Sequence, residues 1–383
     1  MREVCKWKAT IARIKSFKAV RQSAQCTFQA RIIAEGKARC PYSARHMNVP
    51  VPLSLATRSG FTPSKTLVSA GISGVGHRVP DRILSNADLE VLVDTSDEWI
   101  RARTGIEERR LVEPGQTLAD LCEDAARRAL EDAALSAHDL DLIIVATCTP
   151  DNLFPSTAAM VQHALGAKCG AFDLEAACSG FVYALITASQ FIATGMMKNV
   201  LIIGGEVMSR HIDWQDRNTC ILFGDGAGAA IVSATEDGFG LLGMDLGADG
   251  GGGGLLRCAV MSNDNDNGKI YQNGREVYKF AVHQMGESAV RALDACGLTG
   301  EDVDVLVPHQ ANIRIIESAA KRLGMPMSKV FVNLQKYGNT SSATIPIALS
   351  EARAQGRIER GDTVVLVGFG AGLTWASAVL KWN

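Results

Sequence analysis

The chain has 383 residues, 47% hydrophobic and 21% charged, a composition that suits a globular protein large enough to bury its own core. A formal net charge of −2 excludes an overall basic footprint for nucleic acid. No uninterrupted apolar run reaches the roughly 18 residues needed to cross a bilayer. The 10 cysteines form no CxxC pair and no zinc-finger spacing with histidine, so they read as reduced thiols, and each is by default a small buried hydrophobe.

Residues 1–65 differ from the rest. They hold 13 Lys plus Arg against two acids, Glu3 and Glu35, with Pro41, Pro50, Pro52 and Pro63 breaking any long helix. This acid-poor composition leads us to expect a disordered targeting extension of the transit-peptide type. The competing reading is an upstream extension ahead of a true start at Met47. The remainder, 66–383, is acidic, with 26 basic and 39 acidic residues.

From residue 66 strands and helices alternate. Residues 67–76 read as a strand ending in a glycine turn, and 118–134 have the apolar spacing of a helix. Continuous apolar runs at 140–146 and 199–205 suit strands buried on both faces. The pattern is that of an α/β protein with a covered sheet. Three segments recur in the same order, offset by about 150 to 163 residues: 140–146 with 303–308, 199–205 with 362–368, and 223–232 with 369–379. The recurrence predicts two similar halves, 66–238 and 239–383, with a site between them fed by loops from both. The string Gly224-Asp-Gly-Ala-Gly-Ala229 fits a dinucleotide fingerprint, but the residues after it alternate as a strand rather than opening a helix, which excludes that use.

Three residues at predicted strand ends stand out. Cys178 follows a short strand and precedes an apolar helix. Unpaired N–H groups there favour an anion, so a lowered thiol pKa is expected. His309 lies just past the buried run at 303–308. Asn339 lies in a turn past the apolar segment at 330–332 and before another helix. Ligands of α/β sheets bind outside the carboxyl ends of strands. Taken singly, each residue has an ordinary structural reading: a buried thiol, a satisfied histidine, a turn asparagine.

Together these segments resemble the thiolase-fold condensing enzymes, and most specifically β-ketoacyl-acyl-carrier-protein synthase III. The motifs are Ala-Ala-Cys-Ser-Gly-Phe at Cys178, Pro-His-Gln-Ala-Asn at His309 and Tyr-Gly-Asn-Thr-Ser at Asn339. The opening segment 97–106 and the closing segment 368–375 also match. The likeness runs from about residue 67 to the C-terminus. It implies a thiolase-like fold of two βαβαβαββ halves in α-β-α-β-α layers. It implies an acyltransferase that condenses acetyl-CoA, or another short acyl-CoA, with malonyl-ACP through an acyl-Cys178 intermediate, without cofactor or metal. His309 and Asn339 would donate to the malonyl thioester oxygen, and the backbone N–H groups of Cys178 and Ala371 would form a second oxyanion hole. Ala371 departs from the glycine usual in the family.

By the same resemblance Trp99, Arg103, Arg217 and Asn312 would hold CoA, and Phe154 would enter the acyl pocket of a homodimeric partner. Lys279, Arg314, Lys321 and Arg322 would dock the acidic acyl carrier protein. The motif style looks like the plastid and cyanobacterial branch, which with the basic extension predicts the plastid stroma; a start at Met47 would instead place the enzyme in a bacterial cytoplasm. Competing functions are a polyketide starter synthase, a Cys-His-Asn hydrolase and a non-catalytic paralogue. The intact set of Cys178, His309 and Asn339 disfavours the last.

Overall fold

A computed structural model of the protein describes residues 67–259 and 268–383, and the expected extension at 1–65 lies outside the described residues. Strand β1 (Ala70–Arg78) opens the chain, followed by β2 (Arg82–Ser85), helices α1 (Asn86–Leu92) and α2 (Asp97–Thr104), and β3 (Glu108–Leu111). Then come α3 (Leu118–Asp132), β4 (Leu142–Ala146), α4 (Thr157–Leu165), β5 (Gly170–Leu174), α5 (Gly180–Ala193), β6 (Asn199–Val207) and β7 (Asp225–Ala234). The rest comprises β8 (Gly240–Ala248), β9 (Leu256–Cys258), β10 (Ile270–Gln272), α6 (Gly274–Asp294), β11 (Val305–Pro308), α7 (Ile313–Arg322), α8 (Thr344–Ala354), β12 (Thr363–Gly370) and β13 (Thr374–Lys381). Helix starts carry local caps: Thr117 and Asp120 close a capping box on α3, as Ser85 and Asp88 do on α1.

A five-stranded sheet has the order β1-β7-β6-β4-β5 and takes all its strands from residues before 235; a four-stranded sheet has the order β11-β12-β13-β8 and takes its strands from residues after 239; β2 and β3, and β9 and β10, form two small two-stranded sheets. Equivalent pairs have equivalent sense. β4 and β6 run parallel, as do β11 and β12, while β6–β7 and β12–β13 are antiparallel. The counterpart of β5 is reduced to a single bridge between Leu306 and Val330, so the expected strand before Asn339 is not formed; Leu334–Tyr337 coils into one helical turn instead.

Side chains alternate across each strand, and this divides the core into layers. Leu142, Ile144 and Ala146 of β4 face a central layer with α5, α8 and one face of β12, whereas Ile143 and Val145 face outward against α3 and α4. Likewise Leu306, Val365 and Val367 pack outward against α6 and α7. The result is a five-layer α-β-α-β-α thiolase-like fold, with α5 and α8 enclosed between the sheets.

The enclosed helices begin very close to the opposite strands. A Cβ on Gly204 of β6 would lie 2.3 Å from the Ser342 carbonyl, and one on Gly370 of β12 would lie 2.6 Å from the Cys178 nitrogen. Glycine is required there because real side chains do not approach backbone so closely. Ala177 and Ser341, related by the repeat offset, both take positive φ, at 45° and 51°, just before α5 and α8.

Arg109 is fully buried and, among the described residues, pairs with no carboxylate. Its guanidinium donates to Leu84 O, to Asn86 Oδ1 and to Ile221 O, at 3.1, 3.0 and 2.8 Å. Burial lowers its pKa to about 10, so it remains charged at neutral pH. It thereby holds the segment whose Leu222 carbonyl accepts from Asn339 N at 2.8 Å. Arg109→Leu leaves those acceptors buried and unpaired, and is expected to cost about 3 kcal/mol. Urea denaturation should show this as a lower midpoint; an unchanged midpoint would remove Arg109 from the support of the site.

Candidate active site

A cavity of about 560 Å³ opens at the carboxyl ends of the central strands. Cys178, His309, Asn339, Asn312 and Ala371 all line it, with Leu222, Phe223, Ile270, Val277, Ile315 and Phe369 supplying an apolar wall. Residues distant in sequence are brought together because both central helices start here, one from each half.

Cys178 lies in the tight turn Ala177–Ser179 directly before α5. Its Sγ donates to Ser341 Oγ at 3.4 Å. The expectation of a lowered thiol pKa is not met. Burial pushes the thiol up to about 12, and the carboxylate of Glu206 adds to this, against a lowering by the Ser341 bond. The helix start is as the sequence implied, but taking a charge out of water outweighs the helix-end amides.

His309 is buried, with its ring edge against Phe369 at a centroid distance of 5.5 Å. Nδ1 lies 2.6 Å from Thr344 Oγ1, and Nε2 has no hydrogen-bond partner among the described residues. Burial lowers its pKa to about 3, so the ring is neutral at physiological pH. The Thr344 hydroxyl also lies 2.9 Å from Ser341 O, so the acceptor it chooses selects the tautomer of His309.

Asn339 Oδ1 accepts from Ser341 N at 2.8 Å. That bond orients the amide and leaves Nδ2 as its free donor. Ala371 follows Gly370, the last residue of β12, and lines the cavity. It is not among the positive-φ non-glycine residues, which within the described residues are Ala134, Ala177 and Ser341, so alanine is accommodated there without left-handed strain.

Trp99, Arg103 and Arg217 come together. The Arg103 and Arg217 guanidinium carbons lie 4.9 and 5.2 Å from the Trp99 ring centroid. Asn312 Nδ2 donates to Arg103 O at 2.9 Å, tying this cluster to the cavity wall. The basic positions are less free than the sequence suggested. Arg322 pairs with Glu287 at 2.6 Å and Lys279 with Glu276 at 2.7 Å, while Arg314 donates to Ala102 O at 2.8 Å. Phe154 is remote from this cluster in sequence and is 86% exposed, on the loop before α4.

The sequence reading missed three residues of the site: Glu206, Ser341 and Thr344. Glu206 had a visible signal, a lone carboxylate inside the apolar run of β6. The serine and threonine had none, because hydroxyl residues near a turn ordinarily serve the turn itself.

Two family models match the chain: 3-oxoacyl-[acyl-carrier-protein (ACP)] synthase III over residues 172–250, and its C-terminal counterpart over residues 293–382. A beta-ketoacyl-[acyl-carrier-protein] synthase III of Desulfitobacterium hafniense is 55% identical over 327 residues, covering 83% of this chain and 99% of the relative. The crystal structure of 3-oxoacyl-[acyl-carrier-protein] synthase III from Aquifex aeolicus superposes with a TM-score of 0.79 at 49% identity, covering 82% of this chain and all of that one. The priming beta-ketosynthase of the R1128 polyketide pathway superposes with a TM-score of 0.80 at 36% identity, covering 85% and 99%.

These findings overturn the expected plastid location and the plastid-like branch, because the relatives are bacterial. The transit-peptide reading of residues 1–65 falls with them. It rested on charge composition, which describes how a segment interacts with water and anions and does not identify an organelle.

His309 provides a pH test. A histidine held neutral when folded binds fewer protons than the unfolded chain between about pH 3 and 6.5, so its contribution to stability is lost as pH falls through that window. Ring-¹⁵N spectra are expected to show one neutral tautomer from pH 5 to 9, and a mixture of tautomers in Thr344→Val. A His309 that titrates near 6.5 would contradict its burial.

Proposed function

The chain belongs to the 3-oxoacyl-[acyl-carrier-protein] synthase III family, and on that premise we propose how its own residues carry out the decarboxylating condensation of a short acyl-CoA with malonyl-ACP. The observation that carries the reading is the convergence of Cys178, the unpartnered Nε2 of neutral His309 and the oriented amide of Asn339 on one cavity.

Cys178 attacks the thioester carbonyl of acyl-CoA and releases CoA. Malonyl-ACP then binds, and loss of CO₂ leaves an enolate whose negative charge gathers on the thioester oxygen. With Nδ1 accepting from the Thr344 hydroxyl, His309 Nε2 carries the ring proton and donates to that oxygen alongside Asn339 Nδ2. Donors already aimed at the developing charge lower the barrier without reorganising. A fixed neutral imidazole serves this role, and asparagine cannot act as a base. The enolate carbon then attacks the acyl-Cys178 carbonyl, whose oxygen is received by the backbone N–H groups of Cys178 and Ala371. The products are acetoacetyl-ACP from an acetyl starter, CO₂ and CoA, and the reaction balances without a cofactor. The apolar wall and buried site disfavour water as the acceptor, as a hydrolase would need.

Trp99 stacks the CoA base and Arg103 and Arg217 bind its phosphates, with Asn312 beside the pantetheine arm; an indole flanked by guanidinium groups suits a nucleotide. Lys321 and Arg314, one face of α7, with Lys279 and Arg322, form the face that receives acidic ACP. A homodimer is supported by the edge of β5, which no strand of the described residues pairs, and by Leu153 and Phe154, which are 82% and 86% exposed. An apolar loop left bare beside an open strand edge favours association. Phe154 then reaches the partner's acyl pocket. A polyketide-priming role would share the acyl enzyme and differ in the carrier protein accepted.

Labelled acetyl-CoA is expected to acetylate Cys178, and acetoacetyl-ACP to form only when malonyl-ACP is added. Label released as free acetate would defeat the reading. Asn339→Ala is expected to retain acetylation and lose decarboxylation by about 10²- to 10³-fold; loss of both steps together would mean the role of Asn339 is misassigned. In sedimentation experiments Phe154→Asp is expected to shift dimer to monomer, and a wild-type monomer would remove the shared pocket.

A further inference from the structure

Glu206, near the end of β6, is fully buried, and no step above uses it. Its Oε2 accepts from Thr149 Oγ1 at 2.6 Å, Thr147 Oγ1 at 3.2 Å and Cys148 N at 3.2 Å. Its Oε1 accepts from Ser342 Oγ at 3.0 Å, Ser341 Oγ at 3.1 Å and Cys148 Sγ at 3.4 Å. Ser341 also accepts from Cys178 Sγ. The donors therefore run in one direction, from thiol to hydroxyl to carboxylate. Ser341 holds its place at φ 51°, a conformation non-glycine residues adopt at a cost and that concentrates at functional sites.

We infer that Cys178 and Glu206 share one proton through Ser341, so that the thiolate forms inside the cavity by moving its proton to Glu206. Losing that proton to solvent would leave two negative charges in one dry site. Moving it leaves one, as before. In the balanced step the S–H bond of Cys178 breaks and its proton passes to Ser341 Oγ, while the Ser341 hydroxyl proton passes to Oε1. The thiolate then attacks the acyl carbonyl. The departing CoA thiolate takes the proton back by the same route and leaves as the thiol, restoring the carboxylate. Glu206 acts through Ser341 and does not touch substrate.

Desolvation also raises the Glu206 pKa, against the hydrogen bonds of Thr149, Ser342 and Cys148, which favours receipt of a proton. His309 does not compete, since its pKa is lowered to about 3. The other titratable neighbours are Cys122 on α3 and Cys148 after β4, both pushed well above the usual thiol range by burial, and Glu175, which accepts from Ala177 N at 3.1 Å.

The inference rests on Cys178 as nucleophile, and alkylation by iodoacetamide, mapped to the Cys178 peptide in the intact protein, tests the two separately. A thiolate made by an internal proton shift has the same total protonation as the resting pair, so its abundance does not change with pH between the pair's two titrations. The wild-type alkylation rate is expected to stay level within about threefold from pH 7 to 9. Glu206→Gln is expected to replace this plateau with a rise of about tenfold per pH unit, the behaviour of an isolated high-pKa thiol. Ser341→Ala is expected to keep the level shape at a rate about tenfold lower, because the thiolate loses its hydrogen bond. A wild-type rate that itself climbs tenfold per unit would overturn the shared proton, whether or not the variants fold. Absence of label on Cys178 at every pH would overturn the nucleophile reading and the shared proton with it.

Discussion

The site depends on how closely the start of each enclosed helix approaches the opposite sheet. Gly204 lets the Ser342 carbonyl sit against β6, and Gly370 lets Cys178 sit against β12. Without these contacts the turn bearing Cys178 and the turn bearing Ser341 would not meet, and the hydrogen bonds linking Cys178, Ser341 and Glu206 would not form. Because the same approach is made twice, once from each half, the cavity lies on the seam of the internal repeat.

Exclusion of water explains the electrostatics. Burial acts in opposite directions on the two kinds of group: it holds His309 neutral as a base and holds Cys178 protonated as an acid. The same surroundings that suit His309 as a neutral donor therefore hinder formation of the thiolate. Among the described residues Glu206 is a buried carboxylate that accepts from Ser341, the hydroxyl to which Cys178 donates. Arg109 is likewise a buried charge, stabilised by carbonyl and amide oxygens.

Much of this was legible in the residues. The apolar runs of β4 and β6 announced strands covered on both faces, and the recurrence of segments announced two similar halves. The helix after Cys178 and the strand before His309 lie where the pattern put them. The segment before Asn339 was misread as a strand because Val330-Phe-Val has strand composition, yet only Val330 pairs, by one bridge to Leu306. Composition reports what a segment can do and not whether a partner edge reaches it. The basic helix face was visible, whereas the pairing of Arg322 with Glu287 was not, since Glu287 lies on a different helix.

The sequence alone determined the alternation of strands and helices and, through its motifs, the family, because periodicity and local motifs are properties of contiguous residues. Only the tertiary structure decided the protonation of Cys178 and His309, the orientation of the Asn339 amide and the presence of Glu206 behind Ser341. Those depend on which distant groups share a volume without water, and neighbours along the chain carry no record of it.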